Sequence, residues 1–332
     1  MKETTFVSVF TGKMYLFGSL IALGAAIYFL LTAIFAKKRG FKGYQSLYFA
    51  AWALPLAWFF ARFFYVLVNL NKYIDLYTPW WRFLAFWDGG YSMMGALFGL
   101  IIGCWCFTKS NKISFGKWAD VAVVPLGAFL CIARMAEGSV LYIGRGKSID
   151  PQGLLGQIPF FTISDFQGFS PYYAIFRCEA IMGLVVMGIS LWLFYSKKFA
   201  GKSKAGDLAL LSTSLFGAAQ VIFESLKDDG HLMIRVFVRF SQIFAIVFPV
   251  VAVVFFSVKV IQKSGWSWKP ILSWLLVAIA IGVGIYQEFQ IDVTANIVKE
   301  YLIMTGAVTM LLLTVIWMWR LLRGNNTERK KS

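Results

Sequence analysis

The sequence has one histidine and four cysteines in 332 residues. One histidine is too few for a histidine-built metal centre. Cys104, Cys106, Cys131 and Cys178 all lie in apolar runs, and none is spaced as a zinc or disulfide pair would be. Cys104 and Cys106 are two residues apart, so on a helix they do not share a face. All four read as small buried hydrophobes. His231 follows 228-DDG-230 in a polar loop and reads as a solvated residue that could approach a site from above. No metal and no cofactor is expected.

Charge is scarce too. Only 14% of residues are charged, against about 25% in a soluble domain. Soluble-domain counting from chain length therefore does not apply. Acids are half as frequent as bases, 16 against 32, giving a net charge of +16. Such an excess can mark a nucleic-acid-binding protein. Here the Lys and Arg cluster in short loops between apolar runs, where they report orientation in a membrane. The first apolar run is too long for a signal-peptide core and lacks a small-residue cleavage site, so it reads as a retained span. No internal repeat is visible, which argues against a transporter built from repeated halves.

What is present is hydrophobic, at 59%, and aromatic, at 18%. A span needs about 20 apolar residues. Nine runs qualify, at about 15–36, 46–70, 92–108, 118–136, 172–196, 206–226, 240–258, 270–287 and 300–319. The expected fold is all-α, a polytopic membrane helix bundle. Basic clusters follow the first, third, fifth, seventh and ninth runs: Lys37–Lys42, Lys109–Lys117, Lys197–Lys204, Lys259–Lys269 and Arg320–Lys331. They share one side only if there are nine spans with the N-terminus outside, and the positive-inside rule makes that side cytoplasmic. The opposite segments, 71–92, 137–171 and 227–239, are richer in aromatic and acidic residues. Function is expected there, since loops on a rigid scaffold usually carry it.

Ionisable residues within spans are costly and by default mark function. Arg62, Arg134, Glu137, Arg177, Glu179 and Glu224 are such residues. At about 1.5 Å of rise per residue, all six fall in the outer half of the bilayer. Anchoring by snorkelling explains a single Arg, but the acids gain nothing from anionic headgroups. Glu137, Glu179 and Glu224 are expected to partner Arg134, Arg177 and Arg62 around one polar cavity. A planar guanidinium suits a phosphate, so the ligand is expected to be an anionic or phosphate-bearing lipid taken from the outer leaflet.

Five segments in order then carry a family resemblance. They are 61-ARFFYVLVN-69, 87-WDGGYSMMGALFGLIIG-103, 125-PLGAFLCIARMAEGSVLYIGR-145, 216-FGAAQVIFESLKD-228 and 239-RFSQIFAI-246. Together they resemble the prolipoprotein diacylglyceryl transferase family over roughly residues 8–262. That family has seven spans with the same orientation. The resemblance divides the chain into a transferase-like seven-helix domain, 1–262, and an additional two-helix hairpin with a basic tail, 263–332.

The resemblance implies transfer of a diacylglyceryl group from phosphatidylglycerol to the lipobox cysteine of a prolipoprotein, in a bacterial plasma membrane. Its implied catalytic residues are Arg134, Glu137 and Glu224. Its implied substrate-binding residues are Arg62, Gly89, Gly90, Met94, Tyr142, Arg177 and Gln220. There are departures. The family's His in the Gly-Gly loop falls on Met94, and its Arg in span six falls on Gln220. Its Asn after the signature Arg falls on Glu137, a further Glu falls near Tyr142, and two Tyr fall on Phe17 and Phe216. These leave an alternative: a divergent homologue that transfers a different group, or that only binds lipid or a partner protein. Beyond the resembling region, Tyr286, Gln287, Glu288, Gln290 and Asp292 read as a solvated outer loop.

Overall fold

A computed structural model describes residues 5–9, 12–74, 79–86, 89–139, 143–153, 155–164, 171–228, 232–234, 238–291, 293–294 and 297–324. Tyr142, His231, Asp292 and the Trp87–Asp88 pair lie outside the described residues. The helices are α1 (Leu16–Lys38), α2 (Gln45–Val68), α3 (Met93–Ser110), α4 (Phe115–Ala122), α5 (Leu126–Glu137), α6 (Ile175–Tyr195), α7 (Lys197–Ala200), α8 (Asp207–Leu226), α9 (Phe240–Ser264), α10 (Trp268–Ile291) and α11 (Ile297–Gly324). The described residues also form two short 3-10 turns, Leu70–Lys72 and Trp80–Leu84, and three two-stranded ribbons: β1 (Thr5–Val9) with β2 (Gly12–Tyr15), β3 (Thr162–Ser164) with β4 (Pro171–Tyr173), and β5 (Met233–Ile234) with β6 (Val238–Arg239).

Eight of these helices are long and apolar enough to cross a membrane. Each lies within a few residues of an expected span. The expected span 118–136 is instead two helices, α4 and α5, bent by 48°. Pro125 stands at the break. It has no N–H to give a helix ladder, and its ring disfavours helical conformation in the residue before it. Counted as one broken span, the pair makes nine.

The chain forms two compact units. The first comprises residues 1–52, 121–191 and 226–231. In it α1 packs on α5, where a Cβ added to Gly24 would lie 3.3 Å from the side chains of Phe129 and Ile132. A Cβ on Gly127 would come within 2.2 Å of the Gly183 carbonyl oxygen, so α5 and α6 cross at backbone contact. Small residues permit such close crossings between membrane helices.

The second unit comprises residues 53–120, 192–225 and 232–332. Gly95, Gly99 and Gly103 recur every fourth residue, on one face of α3. Cβ atoms there would sit 2.3, 2.3 and 2.6 Å from the backbone of Phe60, Leu56 and Ala53. Helix α3 therefore lies directly on the backbone of α2. Farther along the chain, Ala252, Val253 and Phe256 of α9 pack with Val277 and Ala280 of α10 and Leu311, Val315 and Met318 of α11.

Polarity is inverted relative to a soluble protein. Leu30, Leu47, Trp52, Trp192 and Leu302 are exposed, while Arg62, Arg134, Glu179 and Gln220 are buried. That distribution suits lipid outside and a polar interior.

Candidate active site

The Gly-Gly segment is built first by Arg62. This side chain is 2% exposed. Its Nε donates to the Phe83 carbonyl at 3.2 Å and its Nη2 to the Arg82 carbonyl at 3.2 Å. Its Nη1 donates to the carbonyls of Gly89 and Gly90. The rings of Tyr65 and Tyr73 face the guanidinium at 5.8 and 5.5 Å. One Arg on α2 thus holds both arms of the loop leading into α3. Its donors are directed at backbone carbonyls, whereas pairing with Glu224 was the expectation.

Other contacts fix the same loop. Tyr91 Oη donates to the Phe86 carbonyl and accepts from Trp58 Nε1 at 3.2 Å. The Ser92 amide donates to the Ala61 carbonyl at 2.9 Å, and Ser92 Oγ caps α3 by accepting from the Gly95 amide at 3.2 Å. Gly89 and Gly90 have φ of +70° and +74°, a region that favours glycine. At Gly90 a Cβ would also lie 2.4 Å from the Tyr65 ring. The Gly pair is thus demanded by the turn and by Tyr65. Met94, one turn into α3, is fully buried.

A second polar centre lies in the first unit. Arg134, on the last turn of α5, is 4% exposed. Its Nη1 donates to Glu137 Oε1 at 2.5 Å, and its Nη2 lies 3.2 Å from Glu179 Oε1. Glu179 is fully buried on α6 and its Oε2 lies 3.0 Å from Lys227 Nζ. The result is an alternating chain, Glu137–Arg134–Glu179–Lys227. Glu137 Oε2 is buried and makes no hydrogen bond among the described residues. It faces Gly144, where a Cβ would lie 2.9 Å away. Gly144 has φ +72°, so the backbone approaches that oxygen where a side chain would block it.

Two expected pairings are therefore corrected. Glu179 pairs with Arg134 and Lys227, and Arg177 turns elsewhere. Residues two apart on a helix point to different sides. The Arg177 Nη1 donates to the carbonyls of Pro159, Phe160 and Thr162 at 2.5, 3.0 and 3.1 Å. It pins the loop that enters β3. Lys227 was missed, having been read as the start of an outer loop. A signal existed: the segment 216-FGAAQVIFESLKD-228, which carries the resemblance in span six, includes this Lys three residues after Glu224.

In the second unit, Gln220 and Glu224 lie four apart on α8, fully and nearly buried. Gln220 Nε2 donates to Glu224 Oε1 at 2.7 Å. The amide keeps a hydrogen bond to the acid but brings no positive charge. Gln242 Oε1 accepts from the Arg239 amide at 3.0 Å at the start of α9. The expected solvated loop at 286–292 is also revised. Helix α10 continues through it to Ile291, and Gln287 is 4% exposed.

Residues 5–258 match the profile of the prolipoprotein diacylglyceryl transferase family. The chain belongs to that family. A phosphatidylglycerol–prolipoprotein diacylglyceryl transferase from Oceanobacillus iheyensis is 25% identical over 257 residues, covering 73% of this chain and 83% of the relative. Those of Halalkalibacterium halodurans and Clostridium perfringens are each 26% identical, over 247 and 249 residues. They cover 74% and 72% of this chain, and 82% and 88% of the relatives. The matched region contains every residue of both polar centres and ends inside α9. Like its family, this is a multi-pass membrane protein of transferase type.

Proposed function

We propose that the chain is a phosphatidylglycerol–prolipoprotein diacylglyceryl transferase of a bacterial plasma membrane, N-terminus outside. In the reaction a lipobox thiol loses its proton. Its sulfur bonds to the terminal glyceryl carbon of the lipid as that carbon's bond to the phosphate oxygen breaks. A thioether and glycerol phosphate result. A thiolate is the competent nucleophile, and the departing phosphate needs positive charge near the oxygen that gains electrons.

The single observation that carries this reading is the buried chain Glu137–Arg134–Glu179–Lys227, within a family match spanning most of the sequence. Arg134 supplies the cation for the leaving phosphate, supported by Lys227. Glu137 serves as proton acceptor through Oε2, which makes no hydrogen bond among the described residues. Glu224 is the second acid, held by Gln220. In the second unit, Arg62, Gly89, Gly90 and Met94 shape a wall for lipid, and in the first, Arg177 orders the loop that enters β3. Tyr142, outside the described residues, completes the substrate-binding set. Met94 and Gln220 replace a His and an Arg that the family resemblance would place there. The proton acceptor is accordingly assigned to a carboxylate.

The test is complementation of a strain depleted of its own diacylglyceryl transferase, with lipoprotein mass read directly. A thioether-linked diacylglyceryl group on the lipobox cysteine is the expected product. Its absence, at membrane levels equal to an active control enzyme, overturns the reading.

A further inference from the structure

The family match stops at residue 258, so α10 and α11 lie beyond it. Yet α11 is tied to α8, the helix that carries Gln220 and Glu224, at both ends. At the start of α8, Asp207 is 1% exposed. Its Oδ2 accepts from Arg323 Nε at 2.7 Å and from Trp319 Nε1 at 3.0 Å, and its Oδ1 accepts from Arg323 Nη2 at 2.6 Å. A buried two-point Arg–carboxylate pair is among the stronger polar links a protein makes. At the other end, Tyr301 Oη donates to the Ser225 carbonyl at 2.9 Å. Between these links, Leu210 and Leu211 of α8 pack against the core that α11 shares with α9 and α10. The start of one helix meets the end of the other at both links, so α11 is an antiparallel splint. By helical rise it spans about 27 Å of α8.

The position of the Tyr301 link matters chemically. Ser225 immediately follows Glu224, in the last turn of α8. Carbonyls of a last turn have no partner within their own helix, and the turn frays unless something else takes them. Tyr301 takes one of them. We propose that the α10–α11 hairpin is a brace for the group-transfer site, and that Tyr301 is a positioning residue that fixes Glu224 through the Ser225 carbonyl. This rests on the transferase reading given above.

The experiment uses the full chain in phosphatidylglycerol-containing nanodiscs with a lipobox peptide. Tyr301→Phe keeps the ring and removes the donor. Its kcat should fall about three- to tenfold, the worth of one hydrogen bond. KM for the peptide should stay within about twofold and Tm within about 2 °C. Amide hydrogen exchange at residues 222–226 should quicken. Trp319→Phe removes one bond at the far end and should change neither kcat nor that exchange. Unchanged exchange in Tyr301→Phe overturns the brace. Faster exchange with unchanged kcat overturns the positioning role, as does an equal loss of kcat in Trp319→Phe. If wild type transfers nothing, the transferase reading fails, while the exchange measurement still tests the brace.

Discussion

Arg134 Nη2 lies 3.2 Å from Glu179 Oε1, with side chains 4% and 0% exposed. Glu179 also meets Lys227 at 3.0 Å, so its removal takes away the carboxylate that two cations share, while Arg134 keeps Glu137. Breaking a buried pair from one side costs about 3–5 kcal/mol. Glu179→Gln should therefore lower Tm sharply in detergent and reduce folded yield. A wild-type melting curve would remove Glu179 from the structural chain.

Arg134→Ala is expected to abolish transfer, since it removes the guanidinium that meets both Glu137 and Glu179. Arg134→Lys keeps the charge but loses the fork that reaches two carboxylates at once. Its rate should fall by about tenfold or more. Measured turnover at equal membrane levels checks both. A wild-type rate in Arg134→Ala would contradict its phosphate-binding role.

Arg62 makes a different case. Lysine cannot reproduce a guanidinium that serves the carbonyls of Arg82, Phe83, Gly89 and Gly90 together. Arg62→Lys should loosen the loop before α3 while leaving the helices intact. Limited proteolysis should then cut within 79–92 faster than in wild type, with unchanged circular dichroism. If Arg62 instead bound only the lipid phosphate, cleavage would stay as slow as in wild type.

How much of this was legible follows the range of each interaction. The long helices come from local apolar runs, and the structure keeps them. Arg134 with Glu137 and Gln220 with Glu224 are spaced three and four apart, so helical geometry alone joins them. Arg134 with Glu179, and Glu179 with Lys227, join separate elements, and no spacing rule reaches them. The pairing of Arg177 with Glu179 fails on the same rule that joins the others, because two residues is half a turn. Reading every intramembrane charge as functional misses that a guanidinium can serve main-chain carbonyls. Both Arg62 and Arg177 do that here. The break between α4 and α5 was signalled by Pro125 but outweighed by the apolar run around it.

The glycine face gives a stability prediction. A Cβ at Gly99 would lie 2.3 Å from the Leu56 carbonyl oxygen, and backbone cannot move aside cheaply. Gly99→Ala should destabilise by about 1–3 kcal/mol. Gly282→Ala, where nothing lies within 4 Å, should be neutral. Equal melting temperatures for the two variants would show that α2 and α3 separate without penalty.

Met94→His restores the residue type that the family resemblance places in this loop, and it separates two accounts of the proton. Met94 is fully buried. An imidazole there has two nitrogens to satisfy where a thioether had none. Where Glu137 accepts the thiol proton, the added imidazole has no step to perform and a desolvation cost to bear. Met94→His should then transfer no faster than wild type and fold less stably. Glu137→Gln, which keeps shape and removes the acceptor charge, should lose transfer at least about a hundredfold. A large rate gain in Met94→His, with Glu137→Gln still active, would move proton acceptance away from Glu137 and into the loop before α3.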